Sequence, residues 1–157
     1  MIEITAPENP ILSMVFRESV FLAGSIEQNK AEDWQVRMID ELRDEEFCIV
    51  YNPRRKNWNP DLPQTIDNEQ FYEQVTWELH RLDISTIVPM YFQPGTMSPI
   101  TLLELGLYAD SGKLIVCCPE GFWRKGNVDI VCEKYGIEQV DTLEELTARV
   151  KQRVRGE

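Results

Sequence analysis

Short apolar runs alternate along the chain with stretches in which apolar residues recur every three or four positions. The runs, which are typical of buried strands, are 19–24, 47–51, 86–92, 114–118 and 138–140. The stretches with helical spacing are 31–42, 69–82, 99–110, 128–135 and a last helix that begins after Thr142. Strands alternating with helices predict a parallel sheet covered on both faces. The predicted fold is therefore α/β, a doubly wound, five-stranded parallel sheet with flavodoxin-like strand order.

Residues at the helix ends support these boundaries. Ser98 and Pro99 predict an N-cap and a first helical position, because Ser is favoured at the cap and Pro at the residue after it. Thr142 and Glu145 have the spacing of a capping box. In the segment 69–82 the helical spacing that predicts the second helix is that of Phe71, Val75, Leu79 and Leu82.

Ligands of doubly wound sheets bind beyond the carboxyl ends of the strands, where the strand order reverses. The segments predicted to lie there are 24–26, 52–55, 91–98 and 118–127. A polar connection, 56–68, is longer than most in compact domains, and such loops are either functional or mobile.

The first 17 residues are expected to form an arm or an extra edge element, ahead of a single domain over 18–157. They mix Pro, Glu and Asn with a short apolar patch, which consists of Ile11, Leu12, Met14, Val15 and Phe16. An exposed apolar patch of this kind is a candidate contact between copies of the chain.

The chain of 157 residues carries 27 acidic and 16 basic side chains, a formal net charge of −11. Because nucleic acids and anionic membranes reward clustered Lys and Arg, this balance argues against both as partners and favours a small molecule. No stretch approaches the roughly 20 apolar residues of a membrane-spanning helix, and nothing near Met1 resembles a secretion signal. The expected location is the cytoplasm.

Cysteine and histidine usage points away from metal chemistry. The four cysteines, Cys48, Cys117, Cys118 and Cys132, lack CxxC spacing, so we expect reduced and mostly buried thiols. With one histidine besides, few ligands for a transition metal exist. We therefore expect neither a metal nor an organic cofactor.

Glu104 is a single carboxylate within an otherwise almost wholly apolar helix. Helical spacing places Ile100, Leu107 and Tyr108 beside it, so its side chain should be partly desolvated. Such carboxyl groups concentrate at functional sites. The equally weighted alternative is a structural ion pair with a basic residue such as Arg54.

Other residues around the predicted ligand edge carry weaker indications. Asp83 is most simply a helix-terminating residue, or else a second carboxylate that reaches the same cleft. The Gly24-Ser25-Ile26 turn is similar to a phosphate or ribose cradle but lacks the glycine pattern of dinucleotide sites. Trp58 and Trp123 lie in loops and are candidates for stacking on a base, whereas Trp34 fits the core face of its helix. Arg54 and Arg55 are either solvated loop charges or contacts for a phosphate.

Four segments together resemble the nucleoside 2-deoxyribosyltransferase-like family. They begin at Val20, Asn52, Ser98 and Trp123 and read VFLAGSI, NPRR, SPITLLELGL and WRKGNV. The similarity extends from Val20 to about Val140, and its most specific element is Glu104-Leu105-Gly106 after a capped helix start.

The resemblance implies a retaining glycosyl transfer and a homo-oligomer. Glu104 would attack C1′ of a 2′-deoxynucleoside, expel the base and pass the sugar to a second base. Asp83 matches the family aspartate near the base and the nucleophile. The best-known transferases place an acid six residues before the nucleophile, where this chain has Ser98. The resemblance implies a substrate site drawn from Gly24, Ser25, Ile26, Asn52, Arg54, Arg55, Trp58, Ser98, Trp123 and Asn127.

Two alternatives to transfer remain open at this point. The first is hydrolysis of 2′-deoxynucleoside 5′-monophosphates, in which water replaces the acceptor base and Arg54 or Arg55 binds the phosphate. The second is a nucleotide-binding domain without catalysis, because a fold does not determine a function.

Overall fold

The computed structural model describes residues 1–12, 15–27 and 31–157. Met14 of the predicted apolar patch lies outside these ranges. The strands are β1 (Ile2–Thr5), β2 (Glu18–Phe21), β3 (Ala23–Gly24), β4 (Cys48–Asn52), β5 (Val88–Tyr91), β6 (Leu114–Cys117) and β7 (Glu138–Val140). The helices are α1 (Trp34–Leu42), α2 (Glu69–Ile84), α3 (Pro99–Tyr108), α4 (Lys125–Tyr135) and α5 (Leu143–Arg155).

The strands form two parallel sheets, so the prediction of one five-stranded sheet is wrong. One sheet has the order β1-β4-β2 and the other the order β3-β5-β6-β7. The predicted first strand divides at Leu22: β2 pairs with β4 on one side, and β3 pairs with β5 on the other. Leu22 donates its backbone N–H to Tyr51 and Phe21 donates to Ile87, so the two sheets adjoin at this point. The order across the junction is consistent with a flavodoxin-like fold.

The N-terminal segment contributes an edge strand. β1 runs parallel to β4, with Ile2 opposite Ile49 and Thr5 opposite Asn52. Ile11 and Val15, from the apolar patch farther along, are almost fully exposed.

Helices cover both faces of the sheets and enclose two apolar cores. One core, which includes Trp77, Leu82 and Leu105, packs α2, α3 and α4 against one face. The other, which includes Trp34, Met38 and Leu146, packs α1 and α5 against the opposite face. The prediction that Trp34 belongs to the core is confirmed, since its side chain is fully buried.

α2 forms where the apolar spacing predicts a helix, but its buried face does not consist of those apolar residues alone. Leu82 is buried, whereas Leu79 is exposed, and the other buried residues are Gln74, Trp77 and Arg81. The Arg81 guanidinium lies 4.7 Å from the Tyr51 ring centroid. Because polar side chains with partners fill this face, apolar periodicity could not identify it.

Candidate functional site

The carboxyl ends of β3 and β5 meet where the strand order reverses, and Gly24 makes their approach close. A Cβ atom on Gly24, whose φ is +144°, would lie 2.5 Å from the Tyr91 carbonyl oxygen and 2.8 Å from the Trp34 ring. The space that a side chain would need is therefore filled by protein. Gly24 serves close packing between strands here.

Three hydroxyl groups form a buried cluster beside this turn. Ser98 Oγ lies 2.6 Å from Ser25 Oγ and 2.7 Å from Thr96 Oγ1. Ser25 Oγ also accepts a hydrogen bond of 2.9 Å from the Gln93 backbone N–H. Ile26 follows and is half-buried, and its carbonyl accepts from the Ala31 N–H. The cluster joins the β3 turn to the segment before α3.

Ser98 stands at the N-cap of α3, but its side chain does not cap the helix. Its backbone is left-handed, with φ 45° and ψ 51°, and its hydroxyl belongs to the cluster. The predicted positions, Ser98 as the N-cap residue and Pro99 as the first helical residue, are confirmed, but the Ser98 side chain makes no cap hydrogen bond. The Glu27 carboxylate, from the segment after β3, accepts the Ser98 backbone N–H at 2.5 Å.

Glu104 lies on the buried side of α3, with 8% of its surface exposed. Burial raises the pKa of its carboxyl well above the ordinary value of 4.5, and the charge of Glu78 on α2 raises it further. The expectation of a desolvated carboxyl is confirmed. Among the described residues Glu104 has no ion-pair partner, so the structural alternative, a pair with Arg54, is wrong.

Glu78 is the carboxylate that the sequence analysis missed. Burial raises the pKa of Glu78 to about 7, although a hydrogen bond from Gln74 lowers it. Glu78 is half-buried on a polar, mixed face of α2, and nothing in its sequence context distinguishes it from a solvated helix residue. Only the packing of α2 beside α3 brings it to Glu104.

Gln74 connects Glu78 to the segment after β4. Its Nε2 donates to Glu78 Oε1 at 2.8 Å and to the Pro53 carbonyl at 2.9 Å. Its Oε1 is buried without a hydrogen-bond partner.

Asp83, the predicted second carboxylate, lies in the last turn of α2 and is exposed. It accepts a 2.7 Å hydrogen bond from the Tyr108 hydroxyl on α3. Burial raises the pKa of Tyr108, and this hydrogen bond and the charge of Glu104 raise it further. Asp83 is therefore linked to the neighbourhood of Glu104 through Tyr108.

The two arginines after β4 are held by protein groups. Arg54 donates to the backbone carbonyls of Ala31 and Glu32 at 2.7 and 3.0 Å, and its Nε lies 3.5 Å from an Asp33 carboxylate oxygen. Arg55 pairs with Glu73 at 3.0 Å.

Asn52, at the end of β4, organises the same segment. Its side chain donates to Glu3 at 3.1 Å and accepts the Arg54 backbone N–H at 3.0 Å. A cavity of about 470 Å³ lies here, on the side of α1, lined by Asn52, Arg54 and Arg55 among others. Glu78 and Glu104 belong to the opposite face of the sheet.

Of the two predicted aromatic contacts, Trp123 lies near the start of α3. Trp123 is 47% exposed and donates its Nε1–H to the Met97 carbonyl at 3.0 Å. The Arg124 guanidinium carbon lies over its ring, 4.3 Å from the ring centroid. Asn127 is exposed in the first turn of α4, and Trp58 is half-buried in the long loop. Trp123 is thus held beside the start of α3.

The cysteines do not contribute a nucleophile. All four are free and buried, as predicted, and burial raises the pKa of Cys117 to about 12. Neutral thiols of this kind are poorly nucleophilic at neutral pH.

The described ranges contain neither a metal-binding cluster nor a membrane-spanning helix. Within 1–12, 15–27 and 31–157, no group of three or more His, Cys, Asp or Glu side chains could hold a metal ion. No helix in those same ranges is both long and apolar enough to cross a membrane.

The fold and this geometry define an α/β protein in which two neighbouring helices carry the carboxyl groups of Glu78 and Glu104. Residues 17–122 match the family model described as nucleoside 2-deoxyribosyltransferase like. The chain belongs to the nucleoside 2-deoxyribosyltransferase-like family.

Comparison with solved structures supports the fold. A structure titled as a conserved protein from Enterococcus faecalis V583 superposes with a TM-score of 0.64 at 11% identity, covering 87% of this chain and 98% of that one. A search of curated proteins found no match. At this identity the likeness concerns the fold alone.

Proposed function

We propose that the chain is a nucleoside 2-deoxyribosyltransferase, in which Glu104 is the nucleophile. The observation that carries the proposal is the Glu104 carboxyl, which is buried on α3 next to a second carboxyl, Glu78, and has no cation as partner among the residues that the structure describes. A desolvated carboxyl with no structural partner is costly, and such groups concentrate at sites of chemistry. Family membership supports glycosyl transfer or a related reaction.

The first step needs both carboxyl groups. An oxygen of Glu104 bonds to C1′ of the 2′-deoxynucleoside while the bond from C1′ to the base nitrogen breaks, and the base leaves with the electron pair. Burial raises the pKa of Glu104, which favours the protonated form of its carboxyl, and a proton held there must leave before attack. Glu78, with a pKa of about 7, is suited to accept that proton and to deliver it to the departing base.

The second step reverses the first with a new base. An acceptor base nitrogen attacks C1′ of the glutamyl ester, and Glu104 departs as a carboxylate. The acceptor's proton returns to the carboxyl pair. Inversion at C1′ in each step gives net retention, and no cofactor or metal takes part in this scheme.

The substrate is proposed to bind over the carboxyl ends of β3, β4 and β5. Trp123 offers an exposed aromatic face for a base near the start of α3. The Glu27 carboxylate at the same place favours an uncharged nucleoside over a phosphate. Arg54 and Arg55 already bind protein groups, which also favours the nucleoside over the 5′-monophosphate of the alternative hydrolase.

The chain is further proposed to work as a homo-oligomer that associates through α3. Four apolar side chains of this region, Met97, Ile100, Leu103 and Leu107, are each more than half exposed. The helix carries no Lys or Arg, and its one acid is buried. For a chain of net charge −11, an uncharged surface is where a second copy can approach without repulsion.

A product assay tests the proposed reaction. The protein is incubated with deoxynucleosides plus a free acceptor base, and separately with deoxynucleoside 5′-monophosphates, and products are identified by liquid chromatography and mass spectrometry. A swapped nucleoside is the expected result. Free base with deoxyribose 5-phosphate would instead establish the hydrolase, and no product with any substrate would favour binding without catalysis.

Glu104→Ala tests the nucleophile in the same assay. The variant should lose base exchange and the covalent glutamyl-deoxyribose adduct, with an unchanged circular dichroism spectrum. Glu133→Ala, an exposed glutamate on α4, serves as the matched control. Full turnover by Glu104→Ala would overturn the assignment.

A further inference from the structure

Gln74 is a buried amide whose orientation is determined by its surroundings. The residue is 6% exposed on α2, and its Nε2 lies 2.9 Å from the Pro53 carbonyl. A carbonyl oxygen only accepts hydrogen bonds, so the nitrogen of the amide must face it. If the amide were turned over, two oxygens would meet and the buried carbonyl would lose its donor.

This orientation has a consequence for Glu78. The same nitrogen lies 2.8 Å from Glu78 Oε1, so this oxygen of the carboxyl must accept. The amide oxygen is the group to which a protonated Glu78 would donate, and it is turned away, buried and without a partner. A fixed donor favours the ionised form of a carboxyl over the protonated form.

The other charged and titratable groups around Glu78 do not give it a cation. From α3 it faces Glu104, another acid. Arg81, three residues along α2, directs its guanidinium to Asn9 Oδ1 at 2.5 Å and to the Glu8 carbonyl of the N-terminal segment. Tyr108 of α3 donates to Asp83, and Arg55 after β4 pairs with Glu73. Among the described residues, the Gln74 amide is the donor within hydrogen-bond distance of Glu78.

We propose that Gln74 is a positioning residue that holds Glu78 in its ionised, proton-accepting form beside Glu104. The proposal rests on the proposed function for its catalytic meaning. Glu78 is then ready to take the Glu104 proton when substrate binds. The Pro53 carbonyl fixes the orientation of the Gln74 amide, so the ionisation of Glu78 depends on the position of the segment after β4.

The direct test measures the ionisation of Glu78 without any substrate. Wild type and Gln74→Met, each labelled with ¹³C at the glutamate side chains, are titrated by NMR. The substitution to Met keeps the length of the side chain and removes the hydrogen-bond donor. The Glu78→Gln variant identifies which signal belongs to Glu78. In Gln74→Met the pKa of Glu78 should rise by about one pH unit, tenfold in the proton equilibrium. An unchanged pKa in a folded variant would overturn the proposal.

A control and a second variant separate positioning from folding. Gln70→Met changes a half-buried glutamine one turn earlier on α2 and should leave the Glu78 titration in place. If Gln74→Met does not fold, the titration is repeated at low temperature with Gln74→Leu. A purely structural role would lower the melting temperature and leave the pKa of Glu78 unchanged, which would also overturn the proposal.

Kinetics connect the inference to the reaction. In Gln74→Met the acid limb of the pH profile of kcat/KM should move upward together with the pKa of Glu78. An acid limb that stays in place while the pKa moves would overturn the catalytic part of the proposal. Failure of the wild type to turn over any deoxynucleoside would instead count against the proposed function, and the NMR result would stand separately.

Discussion

Helices α3 and α5 differ in how well they follow the local rules of helix stability. In α5, Thr142 and Glu145 form a complete capping box, Arg153 and Arg155 lie in the last turn, and four apolar residues face the core. In α3 the N-cap side chain does not cap, apolar residues face outward and a glutamate faces inward. Departures from local consistency concentrate at functional sites. The contrast supports the proposal that α3 carries the chemistry and the assembly contact, whereas α5 stabilises the fold.

The carboxylates of the two regions show the same contrast. Burial alone would raise the pKa of Glu138 beside α5, but hydrogen bonds from Arg149 and Arg153 outweigh it, and the pKa is lowered. Glu104 has no such cation within the described part of the chain, and burial raises its pKa. A carboxylate whose charge is compensated stabilises the fold, whereas an uncompensated one is held at a cost.

The largest expected effect distinguishes Glu78 from Asp83 as the partner of Glu104. Glu78→Gln should slow base exchange about 10²- to 10⁴-fold, because it removes the group that accepts and returns the proton. Asp83→Asn should slow exchange less, since an amide oxygen can still accept from Tyr108. Steady-state rates on deoxynucleosides measure both. A larger loss in Asp83→Asn would reverse the assignment.

Assembly through α3 is the next test. Leu103→Asp should place an unpaired charge in the contact and raise the dissociation constant more than about a hundredfold. Light scattering after size exclusion should then report the 18.3 kDa monomer. Ile130→Asp, at an exposed position on α4, is the control and should leave the mass of the assembly unchanged. A monomeric wild type would refute the proposed interface.

The pH dependence of stability should have opposite signs in the two regions. Because the folded pKa values of Glu104 and Glu78 are raised, their protons bind more tightly in the folded chain. Their contribution to the free energy of unfolding is fully present below pH 4.5, the pKa in the unfolded chain, and is lost as pH rises. For Glu78 this loss is complete once the pH has passed the folded pKa of about 7. For Glu78 the loss is at most about 3 kcal/mol, and solvent screening reduces it. The contribution of Glu138 is present above 4.5 and is lost as pH falls.

Urea unfolding between pH 4 and 8 checks these signs. Wild type loses the Glu104 contribution as pH rises, so the stability of Glu104→Gln relative to wild type should increase with pH. Wild type loses the Glu138 contribution as pH falls, so the stability of Glu138→Gln relative to wild type should increase toward the acid end of the range. Parallel curves for wild type and both variants would show that neither carboxyl has a shifted pKa.

The features of the fold and of the candidate site that could be predicted from the sequence are those that depend on residues close together in the chain. The last helix, its capping box and the burial of Glu104 were predictable, since each depends on residues near in the chain. The division of the sheet at Leu22 and the non-capping Ser98 depend on partners about thirty or seventy residues away. Glu78 and Gln74 were missed because their roles arise only when α2 packs beside α3.

The smallest effect tests the α5 side of the comparison. Thr142 Oγ1 accepts the Glu145 backbone N–H at 3.1 Å, and the Glu145 carboxylate accepts the Thr142 N–H at 3.1 Å. Thr142→Ala removes the first of these bonds and should lower the free energy of unfolding by about 1 kcal/mol. Thr142→Ser keeps an acceptor oxygen and should cost less, and neither change should alter base exchange, because α5 lies on the opposite face from Glu104. A rate that fell with Thr142→Ala while stability held would place chemistry on the helix that the comparison assigns to stability alone.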